Sequence, residues 1–573
     1  MTFGTAICAA AMTATVLGAF IAGSSDASKA DSAIQFDFQS LPVRLDSNET
    51  QSRNAPESMA GGVGVFDYNR DGKPDIFLAN GANLATLKKD KPDYRNRLLR
   101  NDGKGVFTDV TEAAGLAGIG YDIGVAIADY DNDGWPDLFV AGVYRNTLYH
   151  NNGDGTFTDV TARAGLDKAG DPQYGPLWAE AAAWVDVNND GLLDLFIVDY
   201  LQWTYGVEPL CTFQGVADYC HPRTYKGQPN RLFLNKGNGV FEDVSEQWGI
   251  QKYVGKGMGV GVADYDLDGK PDLFVTNDAL YNALFHNLGN RFEEVAFNAG
   301  VALTEDGKFI SGMGLDFRDV DNDGYPDIAF VALDGQTFPL FINTRKGEFR
   351  EVTTETGLRR LSEKMAGFGT ALYDFDNDGW KDFFVTRGHV DTYLPQASTT
   401  VDQLNTVFRN PGRTRQWTAL TEEAGFDASP AARHRGCAFG DFNGDGKVDI
   451  VATALGRNAE IWMNRSPGNA HWLDIVLEGT KSNRDGIGAR VKVVTKSGAQ
   501  WNHMTSSVGY ASSSYGPVHF GLGQDSKAES IEIRWPSGIV QSLKDVMGDR
   551  TIFVRETGVF EAKPRQNKAV LSQ

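Results

Sequence analysis

The chain has 573 residues, 41% of them hydrophobic and 11% aromatic, with a formal charge of −21. That length calls for two or more domains, and the apolar content excludes wholesale disorder. The acidity excludes a nucleic-acid binder, which needs a basic footprint.

The first charge is Asp26, and before it runs an apolar stretch from Ile7 to Ile21, with the small residues Ser28 and Ala30 just beyond. This has the character of a secretory signal without its usual basic leader. Residues 1–30 are therefore expected to be a signal peptide, and the mature protein to be secreted, at the cell surface or periplasmic. No later run of about eighteen apolar residues follows, so nothing else is expected to span a bilayer.

After a strand-like segment at Ile34 to Phe38, the same acidic phrase, D-x-[DN]-x-D-G-x-x-D, returns seven times and is each time followed by an apolar run. Oxygen-bearing side chains fall at loop positions 1, 3, 5 and 9. In order these are Asp67, Asn69, Asp71, Asp75; Asp129, Asp131, Asp133, Asp137; Asp186, Asn188, Asp190, Asp194; and Asp264, Asp266, Asp268, Asp272. The last three sets are Asp319, Asp321, Asp323, Asp327; Asp374, Asp376, Asp378, Asp382; and Asp441, Asn443, Asp445, Asp449. Ca²⁺ takes six to eight oxygen ligands at about 2.3–2.6 Å, and alternate residues of a tight loop all point inward. Glycine at position 6, from Gly72 to Gly446, permits the turn. These are not EF-hands, because the closing carboxylate stands at position 9 and the flanks read as strands. Up to seven Ca²⁺ are expected. The loops hold 25 aspartates, so the acidity of the chain is largely metal chemistry. Asn69, Asn188 and Asn443 lower the charge of three cages, which are expected to bind more weakly.

Each loop lies between two short buried strands, and a second phrase such as Asn146 to Asn151 with Gly155 to Val160 supplies two more. Loop starts are 62, 57, 78, 55, 55 and 67 residues apart. Four strands per unit at that spacing predict a seven-bladed β-propeller over residues 31–465. The N-terminal strand is expected to complete the last blade and close the ring. The longest insertion between repeats carries Cys211 and Cys220, close enough to form a disulfide in an oxidising compartment. The alternative is a metal site with His221. Cys437 reads as a small core residue.

From residue 466 the repeat stops. Alternating strands in WLDIVL, ARVKVVT and SIEIRWPSG predict a small separate β domain over 466–556, followed by a flexible tail, 557–573. The motifs GIGARVKVVTKSG, SSVGYASSSYGPVHFGLG and IEIRWPSGIVQSL resemble the ASPIC/UnbV domain. The upstream loops resemble the FG-GAP/VCBS repeats of integrin α-subunits and bacterial surface proteins. The pairing is similar to bacterial relatives of cartilage acidic protein, which implies an exported, calcium-loaded adhesion or ligand-binding protein. It also brings in a rival, because natural-product-cluster relatives are suspected of cyclase- or lyase-like chemistry.

No G-x-S-x-G, P-loop or HExxH motif is present, and a saturated cage leaves no open position for catalysis. The expectation is an all-β protein in which calcium is structural and which binds a carbohydrate or extracellular protein ligand. In the enzymatic alternative, His389, His434 and Arg435 are the first residues to test. Trp135, Trp178, Trp203, Tyr205 and Trp380 are either sugar-stacking aromatics or blade packing.

Overall fold

The computed structural model describes Met1 and residues 33–392, 394, 399–412, 416–558 and 560–562. The expected signal peptide therefore lies outside the described residues, as do the last eleven positions. Seven four-stranded antiparallel units follow one another along the chain. Blade 1 runs from Val63–Phe66 to Val106–Asp109, blade 2 from Tyr121–Ala128 to Phe157–Asp159, and blade 3 from Ala179–Val185 to Phe241–Asp243. Blade 4 runs from Gly257–Ala263 to Phe292–Glu294, blade 5 from Leu315–Arg318 to Phe349–Glu351, and blade 6 from Gly367–Tyr373 to Thr418–Leu420. In blade 7, His434–Gly440, Asp449–Ala454 and Asn458–Asn464 come from the end of the repeats, and Phe36–Arg44 is the outer strand, antiparallel to Asn458–Asn464. A strand from the start of the chain thus completes the final sheet, as the Ile34 to Phe38 segment predicted.

The first strand of each blade packs against the first strand of the next, and that of blade 7 against that of blade 1, so the seven sheets close into a ring. Sheets converging on an axis leave little room for side chains there. A Cβ added to Gly124 would lie 2.4 Å from the Glu180 carbonyl, and one on Gly314 would lie 2.3 Å from the Phe368 carbonyl. Further out, the space between blades is filled by apolar side chains, such as Phe66, Phe77 and Leu98 with Val125, Ile127 and Leu138 between blades 1 and 2. Strands buried on both faces read as unbroken apolar runs, and this is why the alternation of an exposed sheet is missing.

The C-terminal segment forms two four-stranded sheets with a shared core that includes Leu473, Ile475, Val491, Ile531 and Ile552. A short strand, Phe560–Ala562, pairs with Arg550–Arg555, so regular structure continues into the stretch expected to be a tail. This C-terminal β domain packs directly against the ring. It rests on the face of the ring that carries the acidic loops, where Asp129 N–H donates to Asp485, Arg484 N–H to Asn132, and Lys381 Nζ to the Trp501 carbonyl. From it the segment Ser507–Ser514 enters the centre of the ring, and Ser513 and Ser514 pair in parallel with Gly64 and Val65.

This hairpin touches every blade. Val63 N–H donates to Ser512 Oγ, Val125 N–H to the Ala511 carbonyl and Ile127 N–H to Ser513 Oγ. Ser507 Oγ donates to the Val260 carbonyl, Gly509 N–H to the Leu315 carbonyl, and Phe439 N–H to Ser514 Oγ. At the tip, the ring of Tyr510 sits edge-on to Phe368 with centroids 5.3 Å apart, and its hydroxyl meets the Met59 carbonyl at 2.6 Å and the Glu180 carboxyl. The hydroxyl donates toward both the Met59 carbonyl and the Glu180 carboxyl, whose pKa burial raises to about 8.

Candidate functional site

The seven acidic loops share one internal lattice. In six of them the position-1 aspartate accepts N–H groups from positions 5 and 6, as Asp129 does from Asp133 at 2.9 Å and Gly134 at 2.7 Å, and in blade 4 Asp264 accepts only from Gly269. The closing aspartate accepts from the residue at position 2, as Asp137 does from Tyr130 N–H at 3.2 Å. Position 4 takes a left-handed conformation, with φ of 56° at Arg70, 60° at Asn132 and 61° at Leu267, and so does the glycine at position 6. This coiling turns the carboxylates of positions 1, 3, 5 and 9 toward a common centre.

Asp264 Oδ1 and Asp376 Oδ1 are buried and have no hydrogen-bond partner, which is the state of an oxygen placed to ligate a cation. Trios such as Asp129, Asp131, Asp133 and Asp319, Asp321, Asp327 hold their oxygens within 4.8 Å of one another. The residues present fit an oxygen-seeking divalent ion. In two of the cages with reduced charge the amide turns inward on a neighbour, Asn188 Nδ2 donating to Asp190 at 2.9 Å and Asn443 Nδ2 to Asp445 at 3.2 Å.

Sequence reasoning gave no role to the asparagine at or beside the end of the third strand of every blade: Asn101, Asn151, Asn235, Asn287, Asn343, Asn410 and Asn464. Its backbone N–H donates to the closing aspartate, at 2.7 Å for Asn101 on Asp75 and 2.8 Å for Asn151 on Asp137. Its side-chain amide donates to the preceding blade, Asn151 to the Tyr68 carbonyl and Asn235 to the Tyr130 carbonyl, and across the ring closure Asn101 to the Phe442 carbonyl. Each cage is therefore tied to its neighbour. The signal was visible in the recurring N-x-L-x-x-N phrase, but only the fold gives it a partner.

Without metal the lattice is electrostatically costly. Burial raises all seven closing aspartates, Asp75 to about 8, Asp137 and Asp272 to about 7, and Asp194, Asp327, Asp382 and Asp449 well above the usual carboxylate range. A carboxyl raised on folding holds a proton that the unfolded chain releases, so its stabilising share is complete in acid and disappears as pH climbs through the raised value. Metal-stripped protein is accordingly expected to melt at progressively lower temperature between about pH 6 and 8, while Ca²⁺-loaded protein stays level. Thermal melts of both forms across that range check this.

The candidate catalytic residues lie at the other end of the ring, where first strands begin. Arg435 is fully buried, donates from Nε to the Ser58 carbonyl at 2.6 Å and stacks 3.8 Å over Phe368. Burial holds its pKa down at about 9. His389 Nε2 stands 2.7 Å from Asp334, and its Nδ1 accepts from Asp391 N–H. His434 lies between the Arg387 carbonyl at 2.9 Å and Glu460 at 3.1 Å. The three are brought together, since an Arg435 nitrogen reaches the His389 carbonyl, but each side chain is committed to protein partners. Trp178 and Trp203 are likewise buried as packing residues.

Over this end lies the two-cysteine insertion. Cys211 and Cys220 form a disulfide, which decides against a metal site with His221, and Cys437 is free and buried. Glu208 fastens the insertion by accepting from Ala55 N–H and Trp203 Nε1, and Tyr219 bonds to Glu49. Its outer surface is apolar: Val207 and Leu210 are 74% and 71% exposed, and Tyr205, Phe213 and Val216 are 45–48% exposed.

The FG-GAP-like repeat family matches residues 67–140, 129–197, 223–275, 264–330 and 319–385, and the ASPIC and UnbV family matches residues 479–559. Cartilage acidic protein 1 of Homo sapiens is 27% identical over 527 residues, 89% of this chain and 72% of that protein. The Mus musculus protein of the same name is 27% identical over 87% of this chain and 72% of its own length. Among solved structures, an Agrocybe aegerita lectin recognising non-reducing terminal N-acetylglucosamine aligns with a TM-score of 0.40 and 17% identity, over 70% of this chain and 86% of the lectin. A Bacillus licheniformis rhamnogalacturonan lyase aligns with a TM-score of 0.35 and 14% identity, over 75% of each chain. Likenesses this distant carry no argument about ligand or reaction.

Proposed function

The chain belongs to the FG-GAP-like repeat family, with an ASPIC and UnbV domain behind the repeats, and from that premise we propose an exported scaffold, stabilised by Ca²⁺, that binds a carbohydrate or protein ligand. The observation that supports it best is the occupied channel. A hairpin from the C-terminal domain fills the centre of the ring, and the C-terminal sheets lie over the cage face. The ligand surface is then the opposite end, where the disulfide-stapled insertion presents Tyr205, Val207 and Leu210 to solvent. The disulfide suits an oxidising compartment, and among the described residues no helix is long and apolar enough to cross a membrane.

Calcium has a structural part in this reading. The oxygens of positions 1, 3, 5 and 9 would hold the ion, which supplies charge compensation and rigidity. The loops and the strand-3 asparagines then carry that rigidity from blade to blade.

The test is a glycan-array and protein-capture screen of the Ca²⁺-loaded protein beside Val207→Asp and Leu210→Asp. These exposed positions are expected to leave the melt within about 0.5 kcal/mol of the parent while abolishing capture. Capture undisturbed by both substitutions would refute the placement. In the same screen Arg435→Ala is expected to melt lower by about 3–5 kcal/mol, because a buried, fully bonded guanidinium is removed from its partners. An Arg435→Ala protein of normal stability that turns over a substrate less well would favour the enzymatic reading instead.

A further inference from the structure

Two of the seven loops receive an imidazole. The residue before the strand-3 asparagine is, around the ring, Arg100, His150, Leu234, His286, Ile342, Arg409 and Met463, and in blades 2 and 4 it reaches its own cage. In blade 2, His150 Nδ1 lies 3.2 Å from Asp131 Oδ2 and 3.3 Å from Asp137 Oδ1. That nitrogen is shielded from solvent, yet it meets neither oxygen in hydrogen-bonding geometry. It points between them. In blade 4, His286 Nδ1 is hydrogen-bonded to Asp272 Oδ1 at 3.2 Å and lies 3.8 Å from Asp266 Oδ2, the same two loop positions.

Those separations have a chemical meaning. Two ligand atoms sharing one ion at about 2.0–2.2 Å stand roughly 3.0–3.6 Å apart in octahedral or tetrahedral geometry. The separations of His150 Nδ1 from Asp131 and from Asp137 meet that spacing, as does that of His286 Nδ1 from Asp272. Imidazole is a borderline ligand, suited to Zn²⁺, Co²⁺ and their neighbours, whereas Ca²⁺ takes oxygen alone. The ring orientation is also supported in the same way in both blades. Tyr130 packs edge-on against His150 with centroids 6.4 Å apart, and Tyr265 does so against His286 at 5.8 Å. Both tyrosines occupy loop position 2, as Tyr68 does in blade 1 where the facing residue is Arg100, and blades 3, 5, 6 and 7 have Val187, Val320, Phe375 and Phe442 there.

We propose that the loops of blades 2 and 4 are mixed nitrogen–oxygen sites for a first-row transition-metal dication, held by His150, Asp131 and Asp137 and by His286, Asp266 and Asp272. This rests on the reading of the loops as metal cages and divides them into two classes, five for Ca²⁺ and two for a softer ion.

The experiment uses the full mature chain, stripped of metal, then given excess Ca²⁺ and a few equivalents of Co²⁺, and desalted. Elemental analysis counts both metals, and the Co²⁺ visible spectrum reports nitrogen ligation. Two Co²⁺ are expected to remain against Ca²⁺, one in His150→Leu or His286→Leu, and none in the double variant, with Ca²⁺ at the other loops unchanged. Leucine is the residue blade 3 already carries there, so the variants are expected to fold, and their retained Ca²⁺ verifies it. Displacement of Co²⁺ by Ca²⁺ in the parent protein, or equal Co²⁺ retention by the double variant, overturns the proposal and leaves the calcium reading intact. Absence of both metals from the parent overturns both.

Discussion

Removing divalent cations from the purified protein is expected to lower its melting temperature by about 10–20 °C. A site with a dissociation constant near 10⁻⁴ M, in millimolar Ca²⁺, adds about 1–2 kcal/mol to the folded state, so seven such sites add on the order of 10 kcal/mol. In a body this large one kcal/mol moves the midpoint by about 1–2 °C. The effect should not be confined to the loops. Each cage is joined through its asparagine to the blade before it, as Asn287 is to the Val187 carbonyl and Asn464 to the Phe375 carbonyl. Stripping should therefore loosen the whole ring, visible as lost amide protection in the first two strands of every blade. Differential scanning calorimetry with and without chelator measures the shift. An unshifted midpoint would refute the structural role given to the metal.

Replacing Tyr510 is the second large effect. Its ring fills the channel against Phe368, and truncation to alanine opens a cavity expected to cost about 3–5 kcal/mol. Tyr510→Phe removes only the hydroxyl that bonds Met59 and leaves the Glu180 carboxyl without its partner, at about 1–3 kcal/mol. Gly509→Val should be as damaging as the alanine variant, because Gly509 has φ of +70° and a Cβ there would sit 2.6 Å from the Thr370 carbonyl. Since the hairpin touches all seven blades, ring and C-terminal sheets are expected to unfold in one transition. Urea denaturation followed at a ring tryptophan and at Trp535 checks it. Two separated transitions, or a Tyr510→Ala protein of unchanged stability, would contradict the coupling.

The parts of this fold that could be read from the chain are those where local chemistry leaves little choice. A loop that must aim oxygens at one point needs alternate carboxylates and a glycine, and Asp129 to Asp137 state that requirement within nine residues. The closure by Phe36–Arg44 was legible for a similar reason, because a strand-like segment ahead of the first loop needs a sheet to join. Cys211 and Cys220 were paired by proximity alone. The channel hairpin was not legible. Its sequence, SSVGYASSSYG, has no periodicity and reads as a glycine- and serine-rich loop, and its partners from Val63 to Phe439 lie 75 to 449 residues away. The standing of His389, His434 and Arg435 was equally hidden, since a histidine in a solvated loop and one clasped by Asp334 or Glu460 look alike in sequence. The third-strand asparagines fall between these cases: their recurrence was plain, and their function needed the neighbouring blade.

The most direct measurement is the metal content of the mature protein, dialysed against Ca²⁺ alone and counted by elemental analysis and native mass spectrometry. The account predicts at least five Ca²⁺ per chain, falling by one when the closing aspartate of a single all-oxygen loop, such as Asp327, becomes asparagine. A count of two or fewer, or a count that does not respond to Asp327→Asn, would contradict it.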